Sequence, residues 1–518
     1  MTLTPSAVVM IAIAIVLYLG MMVAIGIAKS RKNKNSDDFY LGGRKLGPLV
    51  TAMSAEASDM SSYLLMGVPG LALMTGLAEA SWTAIGLAIG TYINWLLVAK
   101  RLRLYSERID AVTLPEYFSR RFGDNGNLLS SIAAVIIIIF FIPYTASGFS
   151  ACGKLFSSLF GMDYLTAMIL SAAVIVLYCT LGGFLAASTT DLIQSIVMTF
   201  ALVVVLGIGE GISGGFEAVI DNVRGMDGYL DLFKGFSVAT GETGSYGAFP
   251  IVTTLAWGLG YFGMPHILLR FMAIDDPNKL KTSRRVASVW VVISLGVAVL
   301  IGVVGYSLMK TGIVGPYDSS SAAETVIVDI SKFLSGKGYI PAFAAGIFLA
   351  GILAATMSTA DSQLIAASSS ATQDILVNTL HVKLSEKKQM VIARVSVIVI
   401  SVIAVFFARN PDSSIFRVVS FAWAGFGAAF GPVVLFSLLW KRMNKWGALA
   451  GMVTGGAMVF VWKFGIAKLG GVFTVYELLP AFICACIMIV VVSLVTGKPE
   501  DSVTSVFDEI KAAVKKKT

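Results

Sequence analysis

Asp59 stands at the centre of an apolar stretch, in the run Ser54-Ala55-Glu56-Ala57-Ser58-Asp59-Met60-Ser61-Ser62. A carboxylate at the middle of a bilayer costs at least ~2.5 kcal/mol, so Asp59 needs a compensating neighbour. A second apolar stretch ends Ala354-Ala355-Thr356-Met357-Ser358-Thr359-Ala360-Asp361-Ser362. There Ala355, Ser358, Thr359 and Ser362 fall at helical spacing and share one face. A small hard cation takes several oxygen ligands, and unwound backbone beside a hydroxyl face supplies them. The expected sodium site combines carbonyls at Ala57, Met60 and Ala355 with the hydroxyls of Ser358 and Thr359, and Asp59 supports it. The competing reading is that both hydroxyls back-bond their own helix.

Two further carboxylates, Asp191 and Asp361, fall near the same membrane face. They suit an inner-side relay or a second cation site. The plainer reading, preferred here, is a helix N-cap and a solvated side chain in the wet interface. The two histidines and four cysteines form no metal or redox spacing. There is no HExxH, no Ser-His pairing and no basic-aromatic interleaving, so neither enzyme chemistry nor nucleic-acid binding is expected, and no organic cofactor is.

The elements that must carry these groups are membrane helices. Of 518 residues, 56% are apolar and 14% charged, against roughly 25% charged in soluble domains. About 20 apolar residues cross a bilayer. The pattern predicts an all-α polytopic protein of thirteen spans, near 6–28, 48–73, 79–99, 128–152, 162–181, 189–209, 249–270, 286–309, 339–366, 389–407, 416–440, 446–464 and 476–496. With the N-terminus outside, inner loops hold 28 of the 39 Lys and Arg residues, as orientation by positive charge requires. The C-terminus is then cytoplasmic, and its basic tail is expected near anionic lipid or free in solvent. Trp82, Trp95, Trp440 and Trp446 read as interfacial anchors.

Two spans are irregular. The second holds the Asp59 run. The seventh holds Trp257-Gly258-Leu259-Gly260-Tyr261-Phe262-Gly263-Met264-Pro265-His266, whose glycines and proline weaken helical continuity. Five spans apart, they cross in opposite directions. Interrupted helices at matching positions of oppositely oriented halves point to an inverted-repeat transporter. The alternative is a pair of Gly-kinked packing helices. The division read from this is 1–47 (first helix and loop), 48–209 (repeat 1), 210–248 (external loop), 249–440 (repeat 2), 441–496 (two final helices) and 497–518 (tail).

These runs, with Leu41-Gly42-Gly43-Arg44, Met357-Ser358-Thr359 and Trp423-Ala424-Gly425-Phe426-Gly427-Ala428-Ala429-Phe430-Gly431-Pro432, resemble the sodium/solute symporter family from about residue 36 to 496. The resemblance implies a leucine-transporter-type five-plus-five inverted repeat in a bacterial cell membrane, coupling sodium to uptake of L-proline with no obligate protein partner. It puts sodium on the residues named above. It puts the solute on Tyr144, Trp257, Tyr261 and Pro265, with Ser61 and Ser62 beside them. Another small organic solute, or proton coupling, is the alternative. Glu56 and Ser62 stand where the family pattern has Gly, and Tyr63 where it has Trp; Asp361 also departs. Glu56 adds an ionisable group to the sodium-site helix.

Overall fold

The computed structural model describes residues 3–30 and 40–516; the basic residues Arg31, Lys32, Lys34 and Lys517 lie outside them. The described chain is helical apart from one hairpin, in which Lys234–Ser237 pairs antiparallel with Glu242–Ser245. Ten helices among the described residues are long and apolar enough to cross a membrane. They match ten of the thirteen expected spans, and several run longer. The third extends over Leu77–Arg108, the fourth over Leu128–Phe160 and the ninth over Tyr339–Thr379.

Of the three remaining spans, the fifth is the continuous apolar helix Tyr164–Gly182, and the other two are broken. The second is split into Pro48–Ser62, a wide π turn over Tyr63–Gly67, and Val68–Thr75. The seventh is split into Ala248–Leu255, a tight 3-10 stretch over Ala256–Gly263, extended Met264, and Pro265–Ala273. Pro265 opens its half-helix at a position where a missing N–H costs nothing.

The ninth and eleventh spans form the centre, with 72% and 78% of their most apolar windows buried. The first, tenth and twelfth, at 28%, form the rim. The tenth turns Val391, Val395, Ile398, Val399 and Val402 outward. The seventh span approaches its neighbours backbone to backbone. A Cβ on Gly258 would come within 2.2 Å of the Gly86 carbonyl oxygen, and one on Gly260 within 1.9 Å of Trp423 Nε1.

Two expectations about the ends need correction. The tail forms a helix, Asp501–Lys516, that packs on the protein. Val503, Phe507 and Ile510 are buried, and Glu509 and Asp508 pair with Arg108 and Lys441. Its apolar side finds a protein partner, so it is not a free solvated tail. Trp95 is no interfacial anchor: it is buried and donates to Glu56 Oε1 at 2.9 Å.

Candidate functional site

The second span breaks at Ser61, with φ 40° and ψ −172°. That conformation is costly for a residue with a Cβ, and the Ser61 hydroxyl offsets part of the cost by accepting the Tyr63 N–H at 3.1 Å. Just before the break, the Ala57 carbonyl turns to the ninth span and accepts the Ser358 hydroxyl at 2.8 Å. Ser358 also reaches the Ala355 carbonyl at 3.1 Å. Thr359 Oγ1 is buried and has no hydrogen-bond partner among the described residues. Ser358 thus joins the Ala57 and Ala355 carbonyls across two spans, and Thr359 follows it on the ninth. Such a donor set, with one orphaned hydroxyl, fits a hard monovalent cation. The Met60 carbonyl is engaged by the Tyr63 N–H in the turn, so it is held at the edge of the group.

Asp59 points elsewhere. Its carboxylate accepts the Tyr261 hydroxyl of the seventh span at 2.6 Å, and its carbonyl accepts the Tyr144 hydroxyl of the fourth at 3.0 Å. One residue thus ties both broken helices and the fourth span together. Its contact with the hydroxyl pair runs through the backbone of Ala57.

Beyond the break lies an aromatic wall. Trp257 stacks on Tyr63 (ring centroids 5.7 Å) and on Tyr476 (5.3 Å), and tilts against Phe416 at 5.1 Å. Trp423 donates to the Trp257 carbonyl at 2.8 Å and stands edge-on to Tyr261 at 5.0 Å. Trp257, Tyr261, Tyr144, Ser61 and Ser62 are all at most 4% exposed. His266 is buried beside them, and among the described residues the Ser62 hydroxyl has no hydrogen-bond partner. Pro265 begins the half-helix on the same side. Phe416 and Tyr476 were missed in the sequence. They open the eleventh and thirteenth spans, and nothing in their spacing marks them.

Asp191 and Asp361 are neither cap nor solvated residue. Both are buried, at 0% and 1% exposure. Arg270, unremarked in the sequence, draws four spans together there. Its Nη2 lies 3.2 Å from Asp191 Oδ2 and 2.5 Å from Ser362 Oγ, and its Nε donates to Ser54 Oγ at 3.0 Å. Ser54 also donates to Asp191 at 2.6 Å, and Ser362 to Asp361 at 3.1 Å. The buried guanidinium pairs directly with Asp191 and reaches Asp361 through Ser362. Further out, Arg44 of the Leu-Gly-Gly-Arg run clamps the start of the second span to the end of the seventh, through the Met272 carbonyl at 2.7 Å.

The geometry brings carbonyl and hydroxyl oxygens and an aromatic wall together at two opposed helix breaks. Residues 39–455 match the sodium:solute symporter family, and the chain belongs to that family. It is 43% identical to the osmoregulated proline transporter OpuE of Bacillus subtilis over 94% of this chain and 95% of that one. It is also 43% identical to the sodium/proline symporter of Escherichia coli, over 93% and 92%. Its structure superimposes on a Na+-coupled sialic acid symporter, solved in a substrate-bound outward-open state, with a TM-score of 0.76 at 16% identity. That match covers 95% of this chain and 99% of the other. The fold is thus that of the leucine-transporter-type carriers.

Proposed function

We propose that this protein is a sodium-coupled L-proline symporter of a bacterial cell membrane, working by alternating access. The carrying observation is the Ser358–Ala57 clip beside the Ser61 break, opposite the Ala256–Met264 break of the seventh span. The names of the curated relatives support proline as the solute. The two breaks support thirteen spans arranged as inverted repeats over 48–209 and 249–440, and the distribution of Lys and Arg supports an N-terminus outside and a cytoplasmic C-terminus.

Sodium is held by the Ala57, Met60 and Ala355 carbonyls and the Ser358 and Thr359 hydroxyls. It draws the ninth span onto the broken second one, and that fixes Asp59 against Tyr261 and Tyr144. The proline ring packs on Trp257, Tyr261 and Tyr144. Its carboxylate meets the free N–H groups at the half-helix start by Pro265, where anions are favoured, with Ser61 and Ser62 beside it. Each ligand then tightens the other. On the inner side the Arg270 cluster closes the path, and its rearrangement accompanies opening.

One sodium ion moving through ~100 mV releases ~2.3 kcal/mol, and a tenfold gradient adds ~1.4 kcal/mol. Together they sustain about a 500-fold proline gradient. The test is radiolabelled proline uptake into proteoliposomes under imposed sodium or proton gradients. Uptake driven by sodium is expected. Uptake that ignores sodium, or that prefers another solute, overturns the assignment.

A further inference from the structure

The third span grips both broken helices with two consecutive side chains. Gly86, Gly90 and Asn94 recur every four residues and share one helical face. The glycines bring the backbones of the third and seventh spans together: a Cβ on Gly90 would come within 2.3 Å of the Gly258 carbonyl oxygen. Asn94, one turn further, reaches across with its side chain, and its Nδ2 donates to the Tyr261 carbonyl at 2.9 Å. In a continuous α-helix that carbonyl would accept the N–H of residue 265, and Pro265 has none. Asn94 supplies the donor that the proline withholds.

The next residue turns to the second span. A wide π turn over Trp95–Ala99 begins there, and such turns are frequent at functional sites. Trp95 donates to Glu56 Oε1 at 2.9 Å and packs on Phe271 of the inner half of the seventh span, with ring centroids 4.4 Å apart. Glu56 adjoins Ala57 and lies one turn before Asp59, whose carboxylate holds the Tyr261 hydroxyl at 2.6 Å. These contacts close a ring: Glu56 to Asp59 along the second span, Asp59 to Tyr261, Tyr261 to Asn94, and Trp95 back to Glu56. All five residues are at most 4% exposed, a setting in which hydrogen bonds are stronger than in water. Tyr261 is thereby held at both its hydroxyl and its carbonyl.

We propose that Asn94 and Trp95 are positioning residues that transmit sodium binding to the solute wall. This rests on the sodium/proline reading above. Sodium at the Ala57 carbonyl fixes the backbone beside Glu56. Trp95 carries that placement to the third span, and Asn94 carries it to Tyr261. The Asp59 bond sets the hydroxyl end of Tyr261, and the third span sets its backbone end. Asn94 and Trp95 contact neither ion nor solute in this scheme; they act through Glu56 and Tyr261. Their loss therefore weakens the mutual tightening of the two ligands more than it weakens the sodium site alone.

The test is equilibrium binding of radiolabelled proline to the purified full-length protein, with and without saturating sodium, and of 22Na+ without proline. The ratio of the two proline dissociation constants measures the coupling. Trp95→Phe keeps a ring against Phe271 and loses the N–H; Asn94→Ser loses the reach to Tyr261. Each is expected to lower the ratio about fivefold or more, as the loss of one neutral hydrogen bond does, with the affinity for 22Na+ unchanged. Trp82→Phe is the control: on the same span, its indole donates to the Leu232 carbonyl at 2.8 Å, and its ratio should not move. The two variants probe opposite ends of the link, so if one fails to fold the other still decides. A ratio unchanged in the folded variants, or lowered equally in Trp82→Phe, overturns the inference and leaves the symporter assignment standing. So does a loss of 22Na+ affinity as large as the loss of the ratio, which marks a merely structural role. Proline binding that ignores sodium in the natural protein overturns the assignment itself.

Discussion

Ser358→Ala removes one hydroxyl that spans the gap between the ninth helix and the broken second one. In the structure that hydroxyl sits 2.8 Å from the Ala57 carbonyl and 3.1 Å from the Ala355 carbonyl, and in the proposed sodium site it is one of the oxygen ligands. Interactions of a polar group with a charge contribute about 1.5–3 kcal/mol each. Every 1.4 kcal/mol is a factor of ten, so half-saturation by sodium should rise roughly ten- to hundredfold. The maximal rate at saturating sodium should fall much less, because the solute wall is built from other spans. Thr356→Val is the control. Thr356 lies two residues away, but its hydroxyl bonds the Ile352 carbonyl of its own helix at 2.9 Å, so its sodium dependence should not move. The assay is initial-rate proline uptake in proteoliposomes across a sodium series at fixed membrane potential. A sodium dependence unchanged in Ser358→Ala, or shifted equally in Thr356→Val, would refute the assignment of that face to the ion.

Trp257→Ala should weaken proline binding at saturating sodium by tenfold or more, read by equilibrium binding; a change confined to the sodium dependence would place the solute elsewhere. Gly260→Ala should abolish uptake, since its new methyl lands on Trp423 Nε1 and overpacking costs about 1–3 kcal/mol, whereas Gly296→Ala, with nothing within 4 Å of the new methyl, should transport normally. Lys154→Met breaks a buried pair with Glu324 (2.6 Å) that also holds Ser321 and the Ser413 carbonyl. Leaving Glu324 alone should cost about 3–5 kcal/mol and lower the melting temperature; an unchanged melting curve would contradict it. In the tail helix, Phe507→Ala should expose the helix to limited proteolysis more than Arg108→Ala does, because the exposed Arg108–Glu509 pair contributes only about 0.2–1 kcal/mol.

The span pattern, the two interruptions and the facing pair Ser358 and Ala57 were legible in the residues, because a bilayer penalises every unpaired polar group. Hydropathy then marks what crosses, and the exceptions mark what functions. Asp59, Ser358 and the Trp257–Pro265 run stand out for that reason. The same logic misplaced Asp191 and Asp361, since a carboxylate near a span end reads as solvated until its partner is known. The partner of Asp191, Arg270, lies on another span and meets Asp361 only through Ser362, and no local spacing links Arg270 to either carboxylate. Phe416, Tyr476 and Trp95 are likewise ordinary apolar residues of their own helices, and only the packing brings two of them to the Trp257 wall and the third to Glu56. The tail shows the same limit: its amphipathic face is written in Val503, Phe507 and Ile510, but whether lipid or protein covers it depends on the surface that the folded inner loops present. Sequence therefore determined which segments cross the membrane and where they lose regular winding, which are local properties. The tertiary structure alone decided which buried charge meets which, because that follows from the packing of helices hundreds of residues apart.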